Sequence, residues 1–250
     1  ALGGLKAIVA IYSTFLQRAF DQLVHDVNLQ NLDVMFAIDR AGLVGADGET
    51  HHGIYDISFM RILPNIILMT PSNERELLLM LNTGLSHKGP SAIRYPRGNT
   101  GCHDIVMTEE KVSIGKSKLI QKGQKLAILV FGQLLSEVID ISIKLSLTLV
   151  DMRFAKPIDK EILDELSNTH QHIITIEDNV VTGGAGSSIN EYLVEKGYEI
   201  TVTNFGIPDQ IISHGSQNEL YAEIGLDKKS LEYRINKIYD HISNNKKIVK

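Results

Sequence analysis

Residues 39–53, DRAGLVGADGETHHG, gather an arginine, two aspartates, two histidines and four glycines between two apolar runs. Each residue type has a distinct use. A guanidinium offers paired donors that match phosphate oxygens, so Arg40, leaving the end of an apolar run, is a candidate anion ligand. His51 or His52 can carry a proton near neutral pH, and Gly42, Gly45, Gly48 and Gly53 allow positive φ or close backbone approach. Two further stretches hold similar chemistry. Arg94 and Arg97 flank a proline in IRYPRG, and Tyr12, Phe15 and Arg18 lie in YSTFLQR. Other uses exist for all of them. Arg94 and Arg97 read equally as surface arginines beside a proline turn, Phe15 reads as core, and His51 and His52 read as exposed or hydrogen-bonded histidines. Adjacent residues point in different directions, so at most one of the two histidines faces a given ligand.

The rest of the chain narrows the chemistry. No HExxH, paired-cysteine or EF-hand spacing predicts a metal site. Cys102, the single cysteine, excludes an internal disulfide, fits a reducing cytosol and reads as a linker residue. VTGGAGSSINEYL puts glycines at a strand-to-helix turn without a full GxGxxG; tight packing explains it better than an anion site. His214 reads as a surface or capping residue. A net charge of −5 and a pI near 6.0 supply no general attraction for nucleic acid or anionic lipid. No apolar run is long enough to cross a bilayer, which leaves no membrane role and a cytoplasmic location as the expectation.

Positioning these residues requires a scaffold, and hydrophobic periodicity describes one. The 250 residues are 43% hydrophobic and 22% charged, enough for two ordinary domains with full cores. Strand patterns fall at 7–13, 33–39, 66–70 and 91–95. An amphipathic helix is predicted at 16–27, with Arg18, Asp21, Gln22 and His25 on its polar side. Asn73 with Glu76 forms a capping box for another, with Gly84 as its terminator. After a polar linker, strands at 126–131, 147–152, 173–177 and 199–204 alternate with helices at 133–145, 159–166 and 186–196. Ser216 with Glu219 makes a second capping box, and a Lys/Asn-rich tail closes the chain. This is an α/β chain of two doubly wound, mostly parallel-sheet domains: 1–100, a linker at 101–118, and 119–250. Parallel topology sends Tyr12, Arg40 and Arg97, each just after a strand, to one sheet edge.

The order YSTFLQRAFDQ, DRAGLVGADGETHHG, MTPSNE, GPSAIRYPRGN, LAILVFG, LVDMRFAKPID, VTGGAGSSINEYL and FGIPD resembles the 1-deoxy-D-xylulose-5-phosphate synthase family. These are transketolase-like thiamine diphosphate transferases that join pyruvate to D-glyceraldehyde 3-phosphate with loss of carbon dioxide. They open the methylerythritol phosphate route to isoprenoids and feed thiamine and pyridoxal phosphate synthesis. The resemblance covers nearly the whole chain and implies a pyrimidine-binding domain followed by a transketolase C-terminal domain. It assigns Phe15 to stacking on the cofactor's aminopyrimidine, with Tyr12 and Arg18 lining that pocket. It assigns Arg40 and Arg97 to the aldehyde's phosphate, and Asp47 and His51, rather than His52, to the reacting carbons. It also implies a homodimer.

Two family parts are expected upstream of Ala1: the domain that holds the diphosphate with Mg2+, and a glutamate for the aminopyrimidine. The chain is accordingly read as the later portion of a longer enzyme, with no metal ligands in this segment and no synthase activity by itself. Two other readings keep the same fold. The beta subunit of a thiamine-dependent 2-oxoacid dehydrogenase would carry its own glutamate-bearing segment and lacks need of a phosphate pair. A non-catalytic module with the same fold would not need Arg40, Asp47, His51 and Arg97.

Overall fold

The computed structural model describes residues 1–98 and 106–245; Cys102 and the first part of the expected linker lie outside the described residues. The first half runs β1 (Ala7–Tyr12), α1 (Ser13–Leu16), a 3-10 turn (Gln17–Ala19), α2 (Phe20–Gln22), a π-helical turn (Leu23–Asn28), β2 (Val34–Asp39), α3 (Asp56–Met60), β3 (Ile67–Met69), α4 (Glu74–Ser86) and β4 (Ser91–Arg94). The second half runs β5 (Lys118–Gln121), β6 (Lys125–Phe131), α5 (Leu135–Leu145), β7 (Thr148–Asp151), β8 (Phe154–Lys156), α6 (Lys160–Thr169), β9 (His170–Val180), α7 (Ala185–Lys196), β10 (Thr201–Ile207), α8 (Gln217–Glu223) and α9 (Lys228–Asn245).

Two five-stranded sheets result, in the orders β1-β2-β4-β3-β8 and β10-β9-β6-β7-β5. Four strands of each are parallel, and each sheet has one antiparallel edge strand, β8 on β3 and β5 on β7. The inner parallel strands β2, β4, β3, β9, β6 and β7 are mostly buried, whereas the edge strand β1 leaves Ile8 and Val9 exposed. Strand β8 comes from the second half but completes the first sheet. One core reflects the same interlocking: Phe36, Ile38 and Leu68 of the first sheet share a cluster with Leu129, Phe131 and Val150 of the second.

Several expectations shift. The stretch at 16–27 buries Leu16 and Leu23 and exposes Arg18, Asp21, Gln22 and His25, as its period requires. Its helix is broken, however, with Val24 and Val27, stiff at χ1, lying in the widened π turn. Asn73 does cap α4, accepting from Glu76 N at 3.0 Å, but the Glu76 side chain does not return the bond. It turns inward to Arg153 at 2.8 Å and Lys118 at 3.3 Å. Gly84 lies inside α4 rather than ending it; a Cβ there would meet Met35 Sδ at 3.1 Å and Met69 Cε at 3.2 Å, so it serves close helix–sheet packing. Most of the Lys/Asn-rich tail is helix: α9 buries Leu231, Ile235 and Ile242, a helical spacing diluted by polar neighbours. The linker is strapped to α4 through Asn82 to Thr108 and Glu110, and through Thr83 to Val112.

Candidate active site

Strand ends β1, β2 and β4 lie side by side, with Tyr12 paired to Asp39 and Ile38 to Arg94 in register. The loops that follow them therefore meet. Arg40 takes φ +57°, a left-handed conformation that costs a non-glycine residue about 1 kcal/mol or more. Asp39 holds it there: its carboxylate accepts from Arg40 N at 2.6 Å and pairs with the guanidinium. That guanidinium also lies 3.7 Å from the centre of the Tyr12 ring. Tyr12 in turn stacks on Phe15, with ring centres 5.2 Å apart and planes 16° from parallel. His51 approaches Phe15 edge-on at 5.6 Å. Four of the candidate residues thus form one contact chain, Arg40–Tyr12–Phe15–His51.

Arg40 and Arg97 line a cavity of about 510 Å³ together with Asp39, Ser72, Tyr95 and Gln133. Arg97 donates to Asp47 Oδ2 at 2.7 Å, and both side chains stay about half exposed, at 51% and 40%. Phe15 and Arg18 line a second cavity of about 500 Å³ with Thr14, Thr50, His52 and Tyr55. Phe15 is 49% exposed, not core. Thr14 Oγ1 donates to Thr50 O at 2.9 Å, tying the loop to the end of β1. All seven residues singled out by the resemblance gather at this edge.

What shapes the 39–53 loop comes from the other sheet. A Cβ on Gly42 (φ +78°) would lie 2.6 Å from Asp178 Oδ2 and 3.2 Å from Tyr221 Oη. Only glycine fits both the dihedral and the space. Leu43 and Ile54 are buried in the second sheet's core, and Gln217 Nε2 donates to Leu43 O at 2.6 Å. His52, 2% exposed, accepts from Val44 N at 3.2 Å through Nδ1 and contacts Ser213 O at 3.1 Å through Nε2. An imidazole with those two partners is the neutral Nε2–H tautomer. His214 is exposed, as expected of a surface residue, and its Cβ lies against the loop, 3.2 Å from where a Gly48 Cβ would be.

Arg94 is not a surface arginine. It is 3% exposed, bonds Asp56 Oδ2 through Nε at 2.8 Å, and pairs through Nη1 with Asp178. Gln133 Nε2 reaches the other Asp178 oxygen at 3.0 Å and Tyr221 Oη at 2.9 Å. Burial disfavours the charge on Arg94, but the two carboxylates more than offset it and hold the guanidinium protonated. Burial likewise lifts the Asp56 carboxyl, with Arg94 pulling it back, and it lifts the Tyr221 phenol, with Asp178 adding to the rise. This cluster joins the two sheets directly below the loop. Asp56, Asp178, Gln133, Gln217 and Tyr221 carry no sequence motif; their partners lie dozens of residues away, so only the fold reveals them.

The glycine turn before α7 is closed from within. Glu177, fully buried, accepts from Ala185 N at 2.7 Å and Gly186 N at 2.8 Å, filling the helix N-terminus with the chain's own carboxylate. Burial pushes its pKa up to about 8, against the pull of those two N–H groups. Among the described residues, no group of three or more His, Cys, Asp or Glu side chains could hold a metal ion. Among them too, no helix is long and apolar enough to cross a membrane.

Comparison with known proteins agrees with this architecture. The transketolase pyrimidine-binding domain family matches residues 1–102, and the transketolase C-terminal domain family matches residues 115–231. The 1-deoxy-D-xylulose-5-phosphate synthase of Psychromonas ingrahamii is 51% identical over 242 residues, covering 97% of this chain and 39% of the relative. That of Haemophilus influenzae strain Rd is 54% identical over 236 residues, covering 94% and 37%. The chain thus spans under two-fifths of the length of these curated relatives. A split-gene transketolase described as an inactive β4 tetramer superposes with a TM-score of 0.83 at 24% identity, over 94% of this chain and 77% of that one. The transketolase of Campylobacter jejuni gives 0.69 at 14% identity, over 93% and 36%. The chain carries the pyrimidine-binding domain and the C-terminal domain of the transketolase family, in that order.

Proposed function

We propose that this chain forms the pyrimidine-side wall and the acceptor-phosphate site of a 1-deoxy-D-xylulose-5-phosphate synthase. In that reaction pyruvate and D-glyceraldehyde 3-phosphate give 1-deoxy-D-xylulose 5-phosphate and carbon dioxide. The observation that carries the reading is the convergence of Arg40 and Arg97, from two different strand ends, on one cavity beside an exposed aromatic pair. Two guanidinium groups suit a phosphate dianion, and anchoring the phosphate fixes where the aldehyde carbon lies. Both arginines are matched by carboxylates, Asp39 and Asp47, so neither cation costs a desolvated charge before substrate arrives.

The residues present also fit the pyrimidine end of thiamine diphosphate. Phe15 offers an exposed ring to a planar partner, at a cavity of about 500 Å³ shared with Arg18. When bound, that cofactor supplies the electron sink that decarboxylation of a 2-oxo acid requires. Tyr12 holds the Phe15 ring from its other contact, and Arg18 borders the same space. His51 keeps Nδ1 on Thr50 Oγ1 at 2.9 Å, which leaves Nε2 to pass a proton to the acceptor's carbonyl oxygen as it becomes a hydroxyl. Asp47 holds Arg97 and orients it. We place Mg2+ and the diphosphate on the part of the relatives' length that this chain does not span, the assembly as a homodimer, and its location as cytoplasmic.

The test is pyruvate-dependent release of carbon dioxide by the protein at its relatives' full length. Release that rises with added glyceraldehyde 3-phosphate, and is missing for the 250 residues alone, supports the reading. Release indifferent to the aldehyde phosphate would overturn it.

A further inference from the structure

The second domain supplies none of the candidate ligands of the cavity except Gln133, yet its 213–217 turn touches the 39–53 loop at Leu43, Gly45, Gly48 and His52. Ser213 O meets His52, His214 lies under Gly48, and Gly215 O and Gln217 N each lie 3.2 Å from where a Gly45 Cβ would be. Gln217 Nε2 bonds Leu43 O at 2.6 Å. Asp47 is thereby bracketed: Gly45 before it and Gly48 after it are both pressed onto the turn. Gly48 accepts from His51 N at 3.0 Å and donates to Gly45 O at 3.0 Å, which passes the constraint on to His51. His52 is central, because one buried ring spans from Val44 N within the loop to Ser213 O outside it.

We propose that His52 and Gln217 are positioning residues, through which the 213–217 turn fixes Asp47 and His51 and so the geometry of the Arg97 anion site. The inference rests on the phosphate reading above and adds that the second domain sets the site. The His52–Val44 bond is buried, so removing the imidazole leaves the Val44 N–H unsatisfied, and loop order suffers first.

Two variants at position 52 separate positioning from simple packing. His52→Leu fills the space but can neither accept from Val44 N nor donate to Ser213 O. His52→Gln can do both. In His52→Leu, amide exchange across 43–52 should speed up about tenfold, and affinity for inorganic phosphate should fall about tenfold, the loss expected of a broken buried hydrogen bond. His52→Gln should restore both to within about threefold. Gln217→Leu should repeat the His52→Leu pattern. Unchanged exchange in the leucine variants overturns the inference, as does a glutamine variant as poor as leucine. Absence of phosphate binding in the unsubstituted protein counts instead against the phosphate reading, and the exchange result still decides the positioning role.

Discussion

Two glycine-rich turns follow strands in this chain, and they end differently. In the turn before α7, Gly184 packs against Glu177 and Gly186 against Thr175 and Asn204, and the Glu177 carboxyl occupies the helix N-terminus where an external anion would sit. The 39–53 loop packs Gly42, Gly45 and Gly48 against the other domain, while Arg97, Asp47, Phe15 and His51 stay partly open to solvent. Both turns touch the other domain, since Arg61 Nε donates to Gly183 O and Ser58 Oγ to Thr182 O, but only the α7 turn has its anion position filled by a carboxyl of its own domain. Glycine content alone does not mark a ligand loop. What distinguishes the two is whether their charged neighbours are already consumed by the fold.

The comparison breaks most severely at Arg94. Arg94→Met leaves Asp56 and Asp178 buried without their cation and should cost about 3–5 kcal/mol in urea unfolding. A cost below about 1 kcal/mol would mean that the charges under the loop are not a joint between the domains.

Paired glycine substitutions sharpen it. Gly42→Ala adds left-handed strain and a collision with the Asp178 carboxylate, for a cost of about 3 kcal/mol. Gly183→Ala, also left-handed at φ +67° but with its nearest neighbour 3.8 Å from the new Cβ, should cost about 1 kcal/mol. Equal costs would show that the second domain does not press on the loop.

Much of this was legible from periodicity. The strand runs before residues 12, 39 and 94 placed their following loops on one edge, and the parallel register brings those loops together. Arg94 was not separable from Arg97, because two arginines three apart look alike until strand β4 ends between them. The platform of His214, Gln217 and Tyr221 was invisible, since its meaning lies in contact with glycines more than 160 residues earlier. The closure of the α7 turn by Glu177 was hidden for a simpler reason: a carboxylate inside an apolar strand announces burial without naming its partner. Helix α9 escaped notice because its buried positions, Leu231, Ile235 and Ile242, are separated by lysine and asparagine.

A pH-dependent effect concerns the contact between Ser72 and Asp151. Burial raises Asp151 from 3.8 to about 6, while Ser72 Oγ and Arg153 N pull it the other way. The folded chain therefore keeps a proton that the unfolded chain releases. Stability should fall as pH rises from about 4 to about 6 and level off above, by on the order of 2 kcal/mol. Asp151→Asn, which keeps an acceptor for Arg153 N and can donate to Ser72, should flatten that segment of the pH profile. An unchanged slope in the variant would assign it to other groups.

The account stands on the Arg97 cavity as the seat of a substrate phosphate, and steady-state kinetics of Arg97→Ala at the relatives' full length tests this most directly. The KM for glyceraldehyde 3-phosphate should rise about tenfold or more, with the KM for pyruvate held within about twofold. Equal rises in both, or no rise for the aldehyde phosphate, would contradict it.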